Sequence, residues 1–361
     1  MFKLILNLFA DASTNVNKTT DSGMSLEMKT FYDTELLENA RVKEVYAQFA
    51  KKQALPANHG KTVEWRKWNT FAKASQLQEG VIPTGQTFGM THITDSIAQY
   101  GTYATISDEL ELHAYDDTIL GATEEMGASA ADTSESLIVA KLMTATNVLY
   151  CDNVVDETGK TYSTPTSCAG LYAGYEEEVG EGADAHTVHL WAKLTADMVN
   201  KAATKLKKAK VPTINGKYFA VVHPSVAYDL RQDAGWIEAH KYAQPDEIYN
   251  GEIGELHGVR FIENPDAPVC KKSGKYTNGN NGSSYATFFF GKDAFGMIDP
   301  AGGALQMIVH DKGEIGGPLN QFSTVGYKFE TNGACILYPE RMLRVMSVST
   351  YHATDVATIT D

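Results

Sequence analysis

Cysteine is scarce: four residues in 361, at Cys151, Cys168, Cys270 and Cys335, with no CxxC pair among them. That spacing lacks the pattern of a structural zinc site, and scattered cysteines in a long chain read as reduced thiols made in a cytosol. Basic charge is also short. Lys and Arg number 31 against 45 Asp and Glu, for a net charge of −14. A protein that grips nucleic acid by neutralising phosphates shows a basic total or a basic face. The densest basic stretch, KAATKLKKAK at 201–210, reads as the solvated face of a helix. Long apolar runs are missing as well. The N-terminal MFKLILNLFA imitates a signal peptide, but its apolar run of about eight residues is far below the about 20 a membrane helix needs. No membrane partner is expected, and a secreted or surface-layer role rests on that short run alone.

Catalytic signatures are absent too: the chain carries no P-loop, no GxSxG and no HExxH. Gly180, Gly182 and Ala185 match GxGxxA, but glutamates precede them where a dinucleotide site needs a strand. His186 and His189 share HxxH spacing and His223 precedes Pro224. All three read as structural or solvated histidines. The sequence therefore predicts no enzyme, no catalytic residue, no cofactor and no metal site.

What is present is a foldable chain. Hydrophobic residues make up 43% and aromatic ones 10%, enough at this length for one large or two ordinary cores. Residues 11–25 are polar and aperiodic and predict an extended arm or linker. Leu36, Leu37, Ala40, Val45, Ala47 and Phe49 predict a helix over 26–54. Strands are predicted over 61–71, where Val63 and Trp65 alternate with charges, and over 97–106. The roughly 25 residues between them are rich in Gly, Pro, Thr and Gln, and a compact domain rarely keeps so long an irregular link. A long hairpin is marginal by itself and needs a partner surface. Asp108 and Glu111 predict a capped short helix. A longer helix is predicted from Asp117 to Tyr150, roughly 50 Å at 1.5 Å per residue, or two helices broken near Gly127. Residues 152–190 read as a loop-like insertion with acidic residues at 176–181, followed by an amphipathic helix over 195–210. Beyond it come a strand at Tyr218–Val222, a helix from Ser225 and a Gly-rich turn at 250–258. Further strands are predicted at Val259–Ile262, Thr287–Phe290, Leu305–Val309, Val325–Glu330, Cys335–Tyr338 and Met342–Val348. No βαβ repeat appears, so the class is α+β.

Four phrases then combine. They are FYDTELLENARVKEVYAQFAKKQALPANHGKTVEWRKW at 31–68, LQEGVIPTG at 77–85, VVHPSVAYDL at 221–230 and YNGEIGELHGVRFI at 249–262. In that order, from about residue 28 to 350, the chain resembles the N4-gp56 family of phage major capsid proteins. The resemblance implies an HK97-like capsid fold with an N-arm, an extended β-hairpin (E-loop), a peripheral domain with a long spine helix, and an axial domain. On this sequence the parts fall at 1–55 for the arm, 56–106 for the hairpin loop and 107–194 for the peripheral domain with the insertion 152–190. The axial domain takes 195–332, and 333–361 supply strands returning to the peripheral domain.

The implied function is that of a major capsid protein of a tailed double-stranded DNA bacteriophage. Such a protein self-assembles into hexamers and pentamers of an icosahedral or prolate shell. Its partner is first of all itself. Portal, scaffolding and decoration proteins follow, and the enclosed DNA is held without sequence-specific binding. Its place is the virion, with assembly in the bacterial host cytoplasm. An encapsulin-like nanocompartment shell shares the fold and is the alternative. Trp65, Trp68, Phe71 and Phe88 are the candidate inter-subunit contacts, because aromatics anchor interfaces. Each either packs between subunits or inside its own, and the sequence leaves both open.

Overall fold

The computed structural model describes residues 16–17 and 45–351, except 70, 75, 81, 83, 115–117, 157, 180–185, 241–251, 272–282, 302–304 and 313–318. Among the described residues the first elements are β1 (Val16–Asn17), a 3₁₀ turn at Tyr46–Phe49 and β2 (Lys51–Leu55). β3 (Thr62–Trp68), β4 (Met90–Ser96), β5 (Ala98–Ser107), α1 (Asp108–His113) and α2 (Thr118–Leu142) follow. Four short strands come next: β6 (Val148–Tyr150), β7 (Asn153–Val155), β8 (Thr161–Ser163) and β9 (Ala173–Val179). Then come β10 (His186–Trp191), α3 (Ala196–Lys208), β11 (Tyr218–Val222), α4 (Pro224–Gln232) and α5 (Ala234–His240). The last part is nearly all strand: β12 (Glu252–Leu256), β13 (Val259–Glu263), β14 (Val269–Lys271), β15 (Ser283–Phe290) and β16 (Phe295–Pro300). β17 (Gln306–His310), β18 (Phe322–Thr331), β19 (Cys335–Ile336) and β20 (Met342–Ser347) complete it.

The main core is a seven-stranded sheet ordered β12-β13-β11-β15-β20-β6, with β14 also on β15. Every residue of β15 is buried, as a strand covered on both faces must be. Alternation sends Phe288 and Phe290 to one side, where Tyr46 meets both rings edge-on and Phe49 stacks on Phe290. Phe289 faces the other side beside Phe261, on which Trp236 of α5 packs edge-on. α3 joins this core through Met198, Val199, Ala202, Ala203 and Leu206, a stripe at helical spacing. Thr195 caps it by accepting from the Met198 N–H.

A second layer pairs α2 with the sheet β1-β5-β18-β17. Ala130 and Met126 of α2 lie against Tyr327 and Phe329 of β18. Gly326 is needed in β18, since a Cβ there would sit 2.7 Å from the Tyr103 Cβ and 2.9 Å from the Thr102 carbonyl. β20 is the strand next to β15, and Arg344 on it donates to the Met143 carbonyl at 2.6 Å, just past the end of α2.

Several expectations are corrected here. Of the helix over 26–54, residues 26–44 lie outside the described residues, and 51–55 form β2, paired parallel with β16. The long helix is unbroken at Gly127, whose absent side chain faces open space, because one glycine costs only about 1 kcal/mol. It ends at Leu142, about 37 Å long for its 25 residues, and 148–150 pair with β20 as a strand. Ser107, not Asp108, caps α1 by accepting from the Leu110 N–H. Residues 252–256, read as part of a turn, are β12. The insertion 152–190 is no loop: β7–β10 make a four-stranded antiparallel sheet. β18 pairs with β5 beside α2, while β20 joins the sheet of β11 and β15.

None of the four cysteines forms a disulfide. Burial pushes the Cys151 thiol far above its ordinary range and the Cys335 thiol up to about 11. Iodoacetamide at about pH 8, near a free thiol's pKa of about 8.5, is therefore expected to label half-buried Cys168 first. Cys151 and Cys270 stay unmodified until urea unfolds the chain, which peptide mass spectrometry reads directly.

Candidate inter-subunit contact site

The hairpin has its strands in simple antiparallel register, from Thr62 opposite Ser96 to Trp68 opposite Met90. Its second strand is β4, not the 97–106 segment expected; that segment is β5 and pairs with β18. β3 alternates by period two. Val63 and Trp65 turn inward onto Leu55, Ile298 and Leu337, and Trp65 is only 8% exposed. Lys67, next in that phase, sits 3.0 Å from Glu340 and 4.4 Å from the centre of the Tyr338 ring, which Arg341 also covers at 3.7 Å. Asn332 ties the base. Its Oδ1 accepts from the Ile298 N–H at 2.9 Å, and its Nδ2 donates to Asp95 at 2.8 Å.

The opposite face of β3 carries Glu64, Arg66 and Trp68. Glu64 Oε1 lies 2.6 Å from His92 Nδ1 and 3.0 Å from Arg66 Nε. These contacts, His92 first and Arg66 second, hold the Glu64 carboxyl below its ordinary pKa. Past Trp68 the chain leaves regular pairing but keeps a fixed neck. The Asn69 N–H donates to the Gly89 carbonyl at 3.0 Å, and the Thr91 hydroxyl donates to Asn69 Oδ1 at 3.0 Å. Gln86 bonds both the N–H and the carbonyl of Ala72, at 2.9 and 3.2 Å.

On this neck three rings stack in the open. Phe88 lies between Trp68, centroids 4.3 Å apart, and Phe71, at 5.3 Å. The three are 57%, 59% and 58% exposed in the order Trp68, Phe88, Phe71, and Ile82 farther along is 94% exposed. Large apolar groups clustered in water mark an interaction surface. Of the four residues expected from sequence, the fold thus brings three together and withdraws Trp65 into its own subunit. Leu77 and Ile82, both exposed at the tip, were missed, because isolated apolar residues in a Gly- and Gln-rich stretch carry no periodic signal.

Other candidates lead elsewhere. Gly180, Gly182 and Ala185 lie outside the described residues. His189 stands 3.8 Å from Glu176, and His223 caps α4 by accepting from the Ser225 N–H. Of the basic stretch, Lys201 pairs with Asp152 at 2.7 Å and Asp197 at 2.8 Å, which raises its pKa in that order of effect. Lys205 donates to the Val148 carbonyl at 3.2 Å. Among the described residues no three His, Cys, Asp or Glu gather as a metal site, and no helix is long and apolar enough to cross a membrane.

Residues 94–333 match the family described as phage capsid protein. The chain belongs to the phage capsid protein family. Solved structures share its architecture. The capsid of the cyanophage P-SCSP1u superposes with a TM-score of 0.61 at 15% identity, covering 93% of this chain and 97% of that one. The capsid of cyanophage Pam1 gives 0.62 at 12% identity over 91% and 98%, and that of Ralstonia phage GP4 gives 0.59 at 13% over 89% and 95%. No curated protein sequence matches the chain. The fold of this capsid protein is the HK97-like capsid fold, and its described residues include an extended hairpin, a long helix and two sheet layers; most of the expected arm lies outside the described residues. Family and fold together make it a major capsid protein of a tailed phage, located in the capsid of the virion.

Proposed function

We propose that copies of this capsid protein close into hexamers and pentamers, each laying its hairpin tip on a neighbour, and that Trp68, Phe71 and Phe88 anchor that contact. The observation carrying this reading is the exposed ring stack on a hairpin whose base is locked to its own subunit. A tip held rigidly costs less entropy on docking than a flexible one. Head-to-tail contacts close into rings where the rotation permits, and a ring makes weak contacts strong together. In this reading the hairpin is 62–96. The peripheral layer is β5, α2, β17 and β18, and the axial layer is β6, α3–α5, β11–β15 and β20. The shell encloses double-stranded DNA without reading its sequence and meets portal, scaffolding and decoration proteins during assembly in the host cytoplasm. The phrases at 31–68, 77–85, 221–230 and 249–262 support a reading within the N4-gp56 branch. A match to phage capsid proteins over more than half the chain favours this over an encapsulin-like compartment.

Negative-stain electron microscopy of the purified chain, beside size-exclusion chromatography, tests the reading. Closed angular shells, tubes or ring-shaped capsomers are expected. A monomer that stays inert even with the neighbouring phage genes co-expressed overturns it.

A further inference from the structure

One buried carboxylate joins three parts of the molecule. Glu135 lies in the second half of α2 and is 4% exposed. Its Oε1 accepts from the Val45 N–H at 3.1 Å and the Tyr46 N–H at 3.3 Å, at two buried residues that open the 3₁₀ turn. The same oxygen accepts from Asn264 Nδ2 at 3.0 Å. Asn264 belongs to the seven-stranded sheet's side of the molecule. It follows β13, its N–H donates to the Val222 carbonyl at 3.0 Å, and its side chain is fully buried. Its amide cannot turn freely, because Oδ1 already accepts from the Asp266 N–H at 3.0 Å, which leaves Nδ2 aimed at Glu135.

A buried acceptor this deep is costly unless its donors are in place. The two sides are therefore not independent. Moving Asn264 away removes the donor that orients Oε1, and the Val45 and Tyr46 N–H groups then lose their fixed acceptor. We propose that Glu135 is a positioning residue that couples the anchorage of the N-terminal arm to the seating of the seven-stranded sheet on α2. A shift of that sheet against the helix releases the arm at Val45–Tyr46, and a loosened arm frees the corner at Asn264. This goes beyond the reading of the hairpin tip and does not depend on it, because the coupling acts within one subunit.

Hydrogen exchange on the unassembled chain tests it. In Asn264→Ala the amides of Val45 and Tyr46 are expected to exchange at least tenfold faster, while those of Phe289 in β15 keep their protection. Unchanged exchange at Val45 and Tyr46, or a rise matched at Phe289, overturns the proposal, since either means a purely local or purely global role. Glu135→Gln supplies the reverse reading and serves if the first variant does not fold. It keeps an acceptor oxygen but weakens it, so exchange must rise together at Val45, Tyr46 and the Asp266 and Ala267 amides, both of which bond Asn264. A rise on the arm side alone overturns the coupling.

Discussion

Phe88→Asp is expected to give a folded chain that no longer closes shells. Phe88 is the middle ring of the stack, so the change removes both the Trp68 and the Phe71 contact at once. Each aromatic pair is worth about 0.5–1.5 kcal/mol beyond its burial. That loss is confined to the tip, because the base is held separately by Trp65, Lys67 and Asn332. Melting of the main core is therefore expected to stay within a few degrees of the parent. Assembly responds on another scale. An interface anchor costs about 2 kcal/mol or more when removed, near thirtyfold in each contact, and a six-membered ring repeats the loss to about 12 kcal/mol. The carboxylate adds an unpaired charge to an apolar contact, which deepens the loss. Light scattering after size exclusion reads the assembly state and circular dichroism reads the fold. Shells of normal yield from a folded Phe88→Asp chain would remove the tip from the interface.

How much of this was legible in the residues depended on whether the signal was local. β11 was read to its exact bounds, because an apolar run stops at His223-Pro224, where proline opens the next helix. The long helix was legible as an element but overrun, since Val148, Leu149 and Tyr150 continue its apolar spacing and only pairing with β20 makes them a strand. Strands whose reason is a distant neighbour were missed. β2 reads KKQAL and looks like a helix tail, yet β16, more than 240 residues later, accepts it as a parallel partner. β7 and β8 are three residues each, too short for any periodicity to register. β4, MTHITDS, is polar because the hairpin buries little beyond its base, so the more apolar β5 carries the stronger strand signal. Separating Trp65 from Trp68 needed only parity. Val63 and Trp65 share a phase that Trp68 breaks, and a one-sided hairpin must put odd and even positions on opposite faces.

That parity leads to the second large effect. Trp65→Ala is expected to lower folding stability by about 3–5 kcal/mol, while Trp68→Ala, three residues away on the same strand, costs under about 1 kcal/mol. Trp65 fills a small satellite core with Leu55, Val63, Ile298 and Leu337, backed by Ile93 and Ile97. The strand beneath it is shaped to its ring, since a Cβ at Gly296 would lie 3.1 Å from Trp65 Cζ2. Removing the indole leaves a hole that the four remaining buried side chains cannot fill, and it frees a two-stranded hairpin that is marginal unsupported. Urea titration reads the loss, and protease cutting of the hairpin should rise ahead of global unfolding. Trp65→Phe discriminates packing from polarity. Trp65 Nε1 is buried and finds no acceptor among the described residues, so its desolvation already burdens the fold by about 1–3 kcal/mol. Phenylalanine gives up volume but sheds that orphan donor, so its cost should fall well below alanine's. If phenylalanine cost as much as alanine, the indole N–H would have a partner and the satellite core would not be the apolar lock that aims the tip.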